Sequence, residues 1–225
     1  MESIYLTDDG QDKLASYIFM PEEDCSYIVI VCHGFRGAKE NGGKIFNFAR
    51  RLNDIGLGVV AFDFYGSGAS AGDFADISLS RQVDDLCRVI NYVDQSYHKR
   101  VILLGRSFGG STVLAKAGDN DRRVAGYILW STPVKLYETF AGMVEAFSRL
   151  PAGEVLEIPD TNGSFQLKPS FIEDFNRHDL KNNLQESGLQ PVLVIHGVAD
   201  EVVDPANALY IYENCRNAEL HIISG

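Results

Sequence analysis

The sequence lacks three features that would each indicate a particular class of protein. Its purely apolar runs are short, as at Tyr27 to Cys32, whereas a membrane span needs ~20 residues. Its four cysteines are scattered without a CxxC pair, which argues against a metal site or a disulfide framework. Basic residues number only 20 against 31 acidic ones, and the net charge of -11 would repel a phosphate backbone. We therefore expect neither a membrane nor a nucleic acid among its partners.

The amino terminus also lacks the hydrophobic core of a signal peptide. It reads MESIYLTDDGQDK and is acidic, so we expect a cytoplasmic protein. The 225 residues, with 45% hydrophobic and 23% charged side chains, suit one globular domain with a substantial core. The chain shows no internal repeat and no low-complexity tract.

Buried strands alternate with helical patterns along most of the chain. Tyr27 to Cys32 is a continuous apolar run, typical of a strand buried on both faces. Apolar residues from Ile45 to Ile55 then recur at helical spacing until Gly56. Further strands are predicted at Ile4 to Leu6, Leu14 to Phe19, Leu57 to Phe62, Val101 to Leu104, Val124 to Trp130, Pro191 to Ile195 and Glu219 to Ile223. Further helices are predicted at Val83 to Val93, Ser107 to Ala117 and Asp204 to Tyr212. This alternation predicts an α/β fold: a mostly parallel sheet, led by an antiparallel pair, with helices on both faces.

Residues 133–190 break this rhythm. They include four of the seven prolines, a turn cluster from Pro159 to Gly163 and scattered aromatic residues. A structureless loop of this length does not fit a compact domain. We therefore predict an inserted lid of short helices, with 1–132 and 191–225 as the core. The lid phenylalanines are expected either to line an apolar acyl or aryl pocket or to pack the lid onto the core: Phe140, Phe147, Phe165, Phe171 and Phe175.

A serine lies where a predicted strand meets a predicted helix. Val101 to Leu104 leads into Gly105-Arg106-Ser107-Phe108-Gly109, a G-x-S-x-G turn that lifts a serine hydroxyl clear of the backbone. Gly105 and Gly109 suit a turn too tight for additional Cβ atoms. Sites in open α/β sheets lie at the carboxyl ends of strands, so Ser107 is the candidate nucleophile. The alternative is a glycine-rich turn with an incidental serine.

Two backbone N–H groups are candidates for an oxyanion hole. The N–H of Phe108 lies at a helix N-terminus, where the dipole favours negative charge. A second donor is expected from the loop after an earlier strand. His33-Gly34-Phe35 follows the strand that ends at Cys32, so the Phe35 N–H is the candidate. We expect His33 to brace this loop rather than to transfer protons, although His33-Gly34 also suits an ordinary turn.

An acid that orients the catalytic base is expected after a late strand. Asp200 follows the strand from Pro191 to Ile195 and is the candidate. Asp204 is its rival, but a position directly before Pro205 suits a helix cap better.

Together these motifs resemble the α/β-hydrolases, specifically the esterase and serine-aminopeptidase-like branch with small helical lids. They occur in family order and span nearly the whole chain: His33 to Phe35, Phe62 to Ser70, Gly105 to Gly110 and His196 to Asp200. The segment from Phe62 to Ser70 looks most like that of bacterial cinnamoyl and feruloyl esterases. The family usually has histidine or a similar residue where this chain has Arg106, a departure that the family tolerates. The resemblance implies an α/β-hydrolase fold and a serine hydrolase that needs no metal or cofactor.

The resemblance also implies a histidine in the loop after the last strand. Here the strand that ends at Ile223 is followed by Ser224 and Gly225. None of the five histidines suits the role of base: His33, His98, His178, His196 and His221. We therefore expect the native polypeptide to continue beyond Gly225 and to supply the histidine. The alternative is a degenerate hydrolase that binds without turnover.

The expected reaction is hydrolysis of a small acyl or aryl carboxylic ester through a Ser-His-Asp acyl-enzyme. The expected partner is thus a small-molecule ester, and the oligomeric state is left open. Alternatives are an aminopeptidase-like peptidase, a thioesterase, or a non-catalytic binding protein on a hydrolase fold. An aminopeptidase needs carboxylates to hold a free amine, and the predicted lid offers Glu138, Glu145, Glu154, Glu157, Glu173 and Asp174.

Overall fold

The computed structural model describes residues 1–7, 12–151, 153–160, 163–186 and 190–224. Within these residues the strands are β1 (Glu2–Leu6), β2 (Leu14–Phe19), β3 (Tyr27–Cys32), β4 (Leu57–Phe62), β5 (Arg100–Arg106), β6 (Val124–Trp130), β7 (Leu156–Asp160), β8 (Gly163–Leu167), β9 (Val192–Gly197) and β10 (Ala218–Ile223). The α-helices are α1 (Lys44–Asn53), α2 (Leu79–Tyr97), α3 (Phe108–Ala117), α4 (Leu136–Thr139), α5 (Ala141–Ser148), α6 (Ser170–Glu173), α7 (Leu180–Glu186) and α8 (Ala206–Asn214). Across this described part of the chain, no helix has both the length and the apolarity that a bilayer span requires.

One large sheet organises the fold. Its order, among the described strands, is β1-β2-β4-β3-β5-β6-β9-β10. The β1–β2 and β2–β4 pairs are antiparallel, and all later pairs are parallel. The predicted mostly parallel sheet and its leading antiparallel pair are therefore confirmed.

Helices cover both faces of this sheet because the central strands are apolar on both faces. In β3, Ile28 and Ile30 belong to the larger buried cluster, which also contains residues of α2, α3, α7 and α8. Val29, which points the opposite way, belongs to a smaller cluster with Ile45 and Ala49 of α1. Successive strand residues alternate between the faces, so one unbroken apolar run supplies both cores.

The parallel strands all end at one edge of the sheet, called the carboxyl edge below. The register pairs Cys32 with Gly105, and Trp130 with both Arg106 and Ile195. Loops that follow β3, β5, β6 and β9 therefore lie side by side. β5 runs two residues beyond its predicted end and so reaches Ser107 directly.

Residues 133–190 form α4 to α7 and, in addition, the β7–β8 hairpin, which the sequence analysis did not predict. These strands pair only with each other in the described structure, and Pro159 inside β7 obscures the strand pattern. Thr161 and Asn162, at the centre of the predicted turn, lie outside the described residues, as does Gly225. Helix α7 packs against α3 and α8 and thus covers the sheet. The assignment of this whole segment as a lid stays a prediction.

Candidate active site

Ser107 occupies the bend between β5 and α3. Its backbone angles are φ 51° and ψ −126°, a conformation that non-glycine residues rarely adopt. Its N–H donates to the carbonyl of Trp130 at 2.8 Å, and its own carbonyl accepts from Gly110 N–H at 2.8 Å. These bonds hold the strained bend, and the Ser107 side chain remains partly exposed.

The glycines of the G-x-S-x-G turn are required by close backbone approach. A Cβ on Gly105 would lie 2.5 Å from the carbonyl oxygen of Gly109. A Cβ on Gly109 would overlap the carbonyl oxygens of Cys32 and His33. The second contact shows that α3 begins directly against the end of β3, which brings the two candidate oxyanion loops together.

The loop after β3 passes beside Ser107. A Cβ on Gly34 would lie 3.2 Å from Ser107 Cβ and 3.8 Å from its Oγ. His33 accepts the N–H of Phe64 at Nε2 (3.2 Å), and its Nδ1 donates to the carbonyl of Gly34 at 2.9 Å. Burial lowers the pKa of His33, which favours the neutral ring that these bonds require. In this geometry His33 braces the loop.

Phe35 and Phe108, the two candidate oxyanion-hole residues, lie in one cluster of phenylalanine rings. Phe108 is fully buried and is the first residue of α3, so its N–H has no acceptor within the helix. Phe35 contacts Phe108 and three rings of the segment 133–190: Phe140, Phe165 and Phe171. The buried rings Phe140, Phe171 and Phe175 also pack against Phe108. Four of the five predicted lid phenylalanines thus pack that segment onto the core.

Asp200 lies in the turn after β9, at the same carboxyl edge. Its carboxylate accepts the N–H groups of Val202 at 3.0 Å and Val203 at 2.9 Å, and bonds the Ser131 side chain. Burial alone would raise the pKa of Asp200, but these donors and nearby His196 hold it below its ordinary value. The group is therefore an ionised acceptor at neutral pH. Asp204 instead accepts the N–H of Ala206 at the start of α8, as the capping alternative predicts.

The loop after β6 connects Asp200 with Ser107. Trp130 accepts the Ser107 N–H, and the next residue, Ser131, bonds Asp200. Only β6 separates β5 from β9 in the sheet. Two strand spacings correspond to about 10 Å, which is room for one imidazole between the two side chains.

His196 is the histidine nearest to Asp200, but it is fully enclosed within β9. Its Nε2 bonds the carbonyl of Val203 at 2.8 Å and lies 3.6 Å from the Asp200 carboxylate. Its Nδ1 is buried and has no hydrogen-bond partner among the described residues. The ring therefore supports the Asp200 turn and does not reach the neighbouring loops.

The remaining histidines are engaged away from the elbow. His178 Nε2 lies 2.8 Å from the Ser80 hydroxyl, at the start of α2. His221 is exposed on β10, where it bonds Glu219 at 2.6 Å. His98 ends α2 with φ 52°, at the opposite end of β5 from Ser107. The structure therefore assigns none of these three the position of a base.

Comparison with known proteins identifies the family. The family model described as serine aminopeptidase, S33 (Hydrolase_4) matches residues 24–162. The chain belongs to this S33 hydrolase family. The match covers β3 to β7 and so includes the oxyanion loop and the G-x-S-x-G elbow. The predicted resemblance to α/β-hydrolases is confirmed.

Solved and curated proteins similar to this S33 chain carry esterase, lipase and thioesterase names. The structure of Est1E from Butyrivibrio proteoclasticus with ferulic acid bound has TM-score 0.81 and 25% identity, covering 99% of this chain and 89% of that chain. Mouse (Mus musculus) mitochondrial palmitoyl-protein thioesterase ABHD10 is 24% identical over 194 residues, 81% of this chain and 62% of that protein. Monoglyceride lipase of Rattus norvegicus is 31% identical over 125 residues, 55% of this chain and 40% of that protein. The matches span 37% to 62% of the curated relatives' own lengths. The predicted α/β-hydrolase fold is confirmed.

Sequence reasoning missed two residues of the site in this S33 chain. Ser131 bonds the candidate acid, and its only sequence signal is its position directly after a predicted strand. Arg36 follows Phe35 and pairs with Asp160, at the end of β7. Nothing local indicates that pairing, because the two residues are far apart in sequence and meet only in the folded chain.

Proposed function

We propose that this protein hydrolyses carboxylic esters by acyl transfer through Ser107. The observation that carries the proposal is the strained, partly exposed Ser107 bend beside Gly34. Ser107 Oγ attacks the ester carbonyl carbon while its proton passes to a histidine base. The N–H groups of Phe35 and Phe108 hold the oxyanion, and the leaving alcohol takes the proton. Water then cleaves the acyl-enzyme and restores the hydroxyl.

Asp200 orients the base in this proposal, and a histidine in a loop after β10 would be placed to act as that base. β10 lies parallel to β9 with Ile223 opposite Gly197, and Val198 N–H donates to the Ile223 carbonyl at 2.9 Å. A loop that leaves β10 therefore starts beside the Asp200 turn. A histidine in it would lie between Asp200 and Ser107, where its imidazole fits.

An apolar cavity supports a hydrophobic acyl or aryl group as the substrate. A cavity of about 420 Å³ lies between α4, α5 and β7, and its lining includes Phe140, Met143, Ala146 and Ile158. Phe140, which lines the cavity, also packs against Phe35 and Phe108, the proposed oxyanion-hole residues. The ferulic acid bound to Est1E and the palmitoyl thioesterase name of ABHD10 favour the same class of ligand. Thioester hydrolysis is the second candidate, since it uses the same acyl pocket.

Peptide hydrolysis receives less support from the carboxylates of the segment. Asp174 is buried and accepts from the N–H and hydroxyl of Ser80 at 2.7 Å each. Two further carboxylates are paired with cations on their own helix or beside it: Glu138 with Lys135 and Glu145 with Arg149. Glu157 accepts from Ser164 across the hairpin. Four of the six candidate carboxylates thus have other partners.

The proposal is tested on the full-length protein, including any residues encoded after Gly225. We expect a fluorophosphonate probe to label it, and p-nitrophenyl esters to be hydrolysed with an acyl-enzyme burst. Ser107→Ala should abolish both signals. Ser148→Ala is the matched control, because Ser148 is an exposed serine of α5. Absence of labelling in a folded protein, or a following sequence without a histidine near β10, would overturn the proposal.

A further inference from the structure

The turn that carries Phe35 has an arginine where glycine would be expected. Gly37 N–H donates to the Gly34 carbonyl at 2.9 Å, which closes a four-residue turn with Phe35 and Arg36 at its centre. Arg36 has φ 56°. This third position of a type II-like turn favours glycine, and a side chain there is strained. A compensating interaction of the Arg36 side chain is therefore expected.

Within the described residues, the Arg36 side chain forms one ion pair and one cation–π contact, and both are with the β7–β8 hairpin. Its guanidinium forms an ion pair with Asp160, the last residue of β7. The same group lies over the ring of Phe165 in β8, 4.2 Å from the ring centroid. The Arg36 and Asp160 side chains are 33% and 29% exposed, so solvent screens the pair only in part.

Phe35 contacts the same hairpin from the adjacent position. Its ring lies 5.9 Å from Phe165 and 5.4 Å from Phe74, and these two rings are 5.6 Å apart. Two consecutive residues of the turn thus bind one strand of the hairpin. The backbone that carries the Phe35 N–H is therefore held to the hairpin by two side chains, the ring of Phe35 and the guanidinium of Arg36.

We propose that Arg36 is a positioning residue, which clamps the β7–β8 hairpin to the oxyanion loop and so fixes the direction of the Phe35 N–H. This role rests on the proposed function. Loss of the clamp frees the turn from Gly34 to Gly37, so the peptide plane between Gly34 and Phe35, which carries the donor, reorients relative to Ser107. Because small displacements of a catalytic group reduce rate strongly, the effect falls on kcat. The position of the hairpin thereby controls whether the oxyanion hole is formed.

Four substitutions separate this role from a general effect on folding. Arg36→Gly removes the side chain but accepts the positive φ, and Arg36→Lys keeps the charge without the planar stack. Asp160→Asn and Phe165→Leu remove the hairpin's contributions. Lys168→Ala is the control, because Lys168 ties the end of the same hairpin to Asp76 without touching Arg36.

Two measurements on the full-length protein test the clamp: hydrogen exchange of the loop amides and steady-state kinetics. We expect Asp160→Asn and Arg36→Gly to speed hydrogen exchange of the amides of residues 34–37 several-fold. We also expect both to lower kcat for p-nitrophenyl acetate about tenfold, with KM changed less than twofold. Arg36→Lys should have intermediate exchange rates and an intermediate kcat. Phe165→Leu should also speed exchange. Lys168→Ala should resemble the unsubstituted protein in both measurements. Arg36→Gly should unfold at the same or a higher temperature.

The outcomes distinguish the clamp from the proposed function. If Asp160→Asn and Phe165→Leu leave the exchange rates and kcat unchanged, or Lys168→Ala has equal effects, the clamp is wrong. If exchange in the loop responds to the hairpin but the unsubstituted protein neither turns over esters nor is labelled, the ester hydrolase proposal is wrong and the coupling stands. If the hairpin substitutions leave exchange in the loop unchanged and the unsubstituted protein shows neither turnover nor labelling, both the clamp and the ester hydrolase proposal are wrong.

Discussion

The ring of Phe35 lies 6.2 Å from the ring of Phe108, centroid to centroid, with an interplanar angle of 85°. This edge-to-face pair joins the loop after β3 to the first residue of α3, which are the two proposed sources of oxyanion donors. Their relative position is therefore set by aromatic packing as well as by the backbone. The same rings contact Phe140 and Phe171, so the segment 133–190 takes part in that packing.

The first prediction concerns the choice of acid. Asp200→Asn should lower kcat by about 10⁴-fold, because an amide cannot hold a histidine in the required tautomer. The fold should persist, since the amide oxygen can still accept from Val202 and Val203. Asp204→Asn is the matched control and should retain activity, because Asp204 accepts at the start of α8. Steady-state kinetics of both variants provide the measurement. Equal losses of kcat in the two variants would refute the assignment of Asp200 as the orienting acid.

The second prediction compares two helical glycines. Gly109→Ala should lower the free energy of unfolding by about 1–3 kcal/mol, because the new Cβ meets the carbonyls of Cys32 and His33. Gly142→Ala in α5 should raise it by about 0.5–1 kcal/mol, since nothing lies within 4 Å of the new Cβ and alanine favours the helix. Urea denaturation measures both. If both substitutions changed the free energy of unfolding in the same direction, the proposed packing of α3 on β3 would be contradicted.

The third prediction concerns pH and the buried Asp85 of α2. Burial raises the pKa of Asp85 to about 6, against the opposing effects of the Tyr65 N–H, Arg81 and Arg88. Between about pH 4 and 6 the native state then binds more protons than the unfolded state, so this group's contribution to the free energy of unfolding falls as pH rises.

The variant Asp85→Asn removes that dependence and keeps an acceptor for Tyr65. Relative to the unsubstituted protein, its free energy of unfolding should rise between pH 4 and pH 7, by at most about 3 kcal/mol. Denaturation curves across this range provide the measurement. Asp84→Asn, at the exposed neighbouring position, is the control and should change the pH dependence much less. A constant difference for Asp85→Asn would show that the carboxyl group is ionised throughout.

The fourth prediction concerns the cavity of about 420 Å³ beside α5. Ala146→Phe fills part of it, so kcat/KM for p-nitrophenyl decanoate should fall more than tenfold, with little change for the acetate. Ala141→Phe is the control, because Ala141 is exposed on the same helix and does not line the cavity. An unchanged preference for chain length would place the acyl group elsewhere.

Local sequence predicted the central sheet because its inner parallel strands are largely continuous apolar runs between loops. Tyr27–Cys32, Leu57–Phe62 and Val124–Trp130 have the predicted bounds. The β7–β8 hairpin was missed although Leu156 and Ile158, like Phe165 and Leu167, alternate with polar residues, because these runs are short and largely exposed and Pro159 interrupts the first. In the folded chain the hairpin contacts Arg36 and Phe35.

The sequence by itself determined the alternation of strands and helices and the order of the motifs, since both follow from the periodicity of apolar residues and from glycines at tight turns. It also selected Ser107 and Asp200, because residues that follow strands of a parallel sheet meet at its carboxyl edge. Only the tertiary structure decided that Ser131 bonds Asp200, that Arg36 binds the hairpin and that phenylalanines of residues 133–190 pack around Phe108. The physical reason is that such contacts join residues distant along the chain, and their geometry exists only after the core has packed.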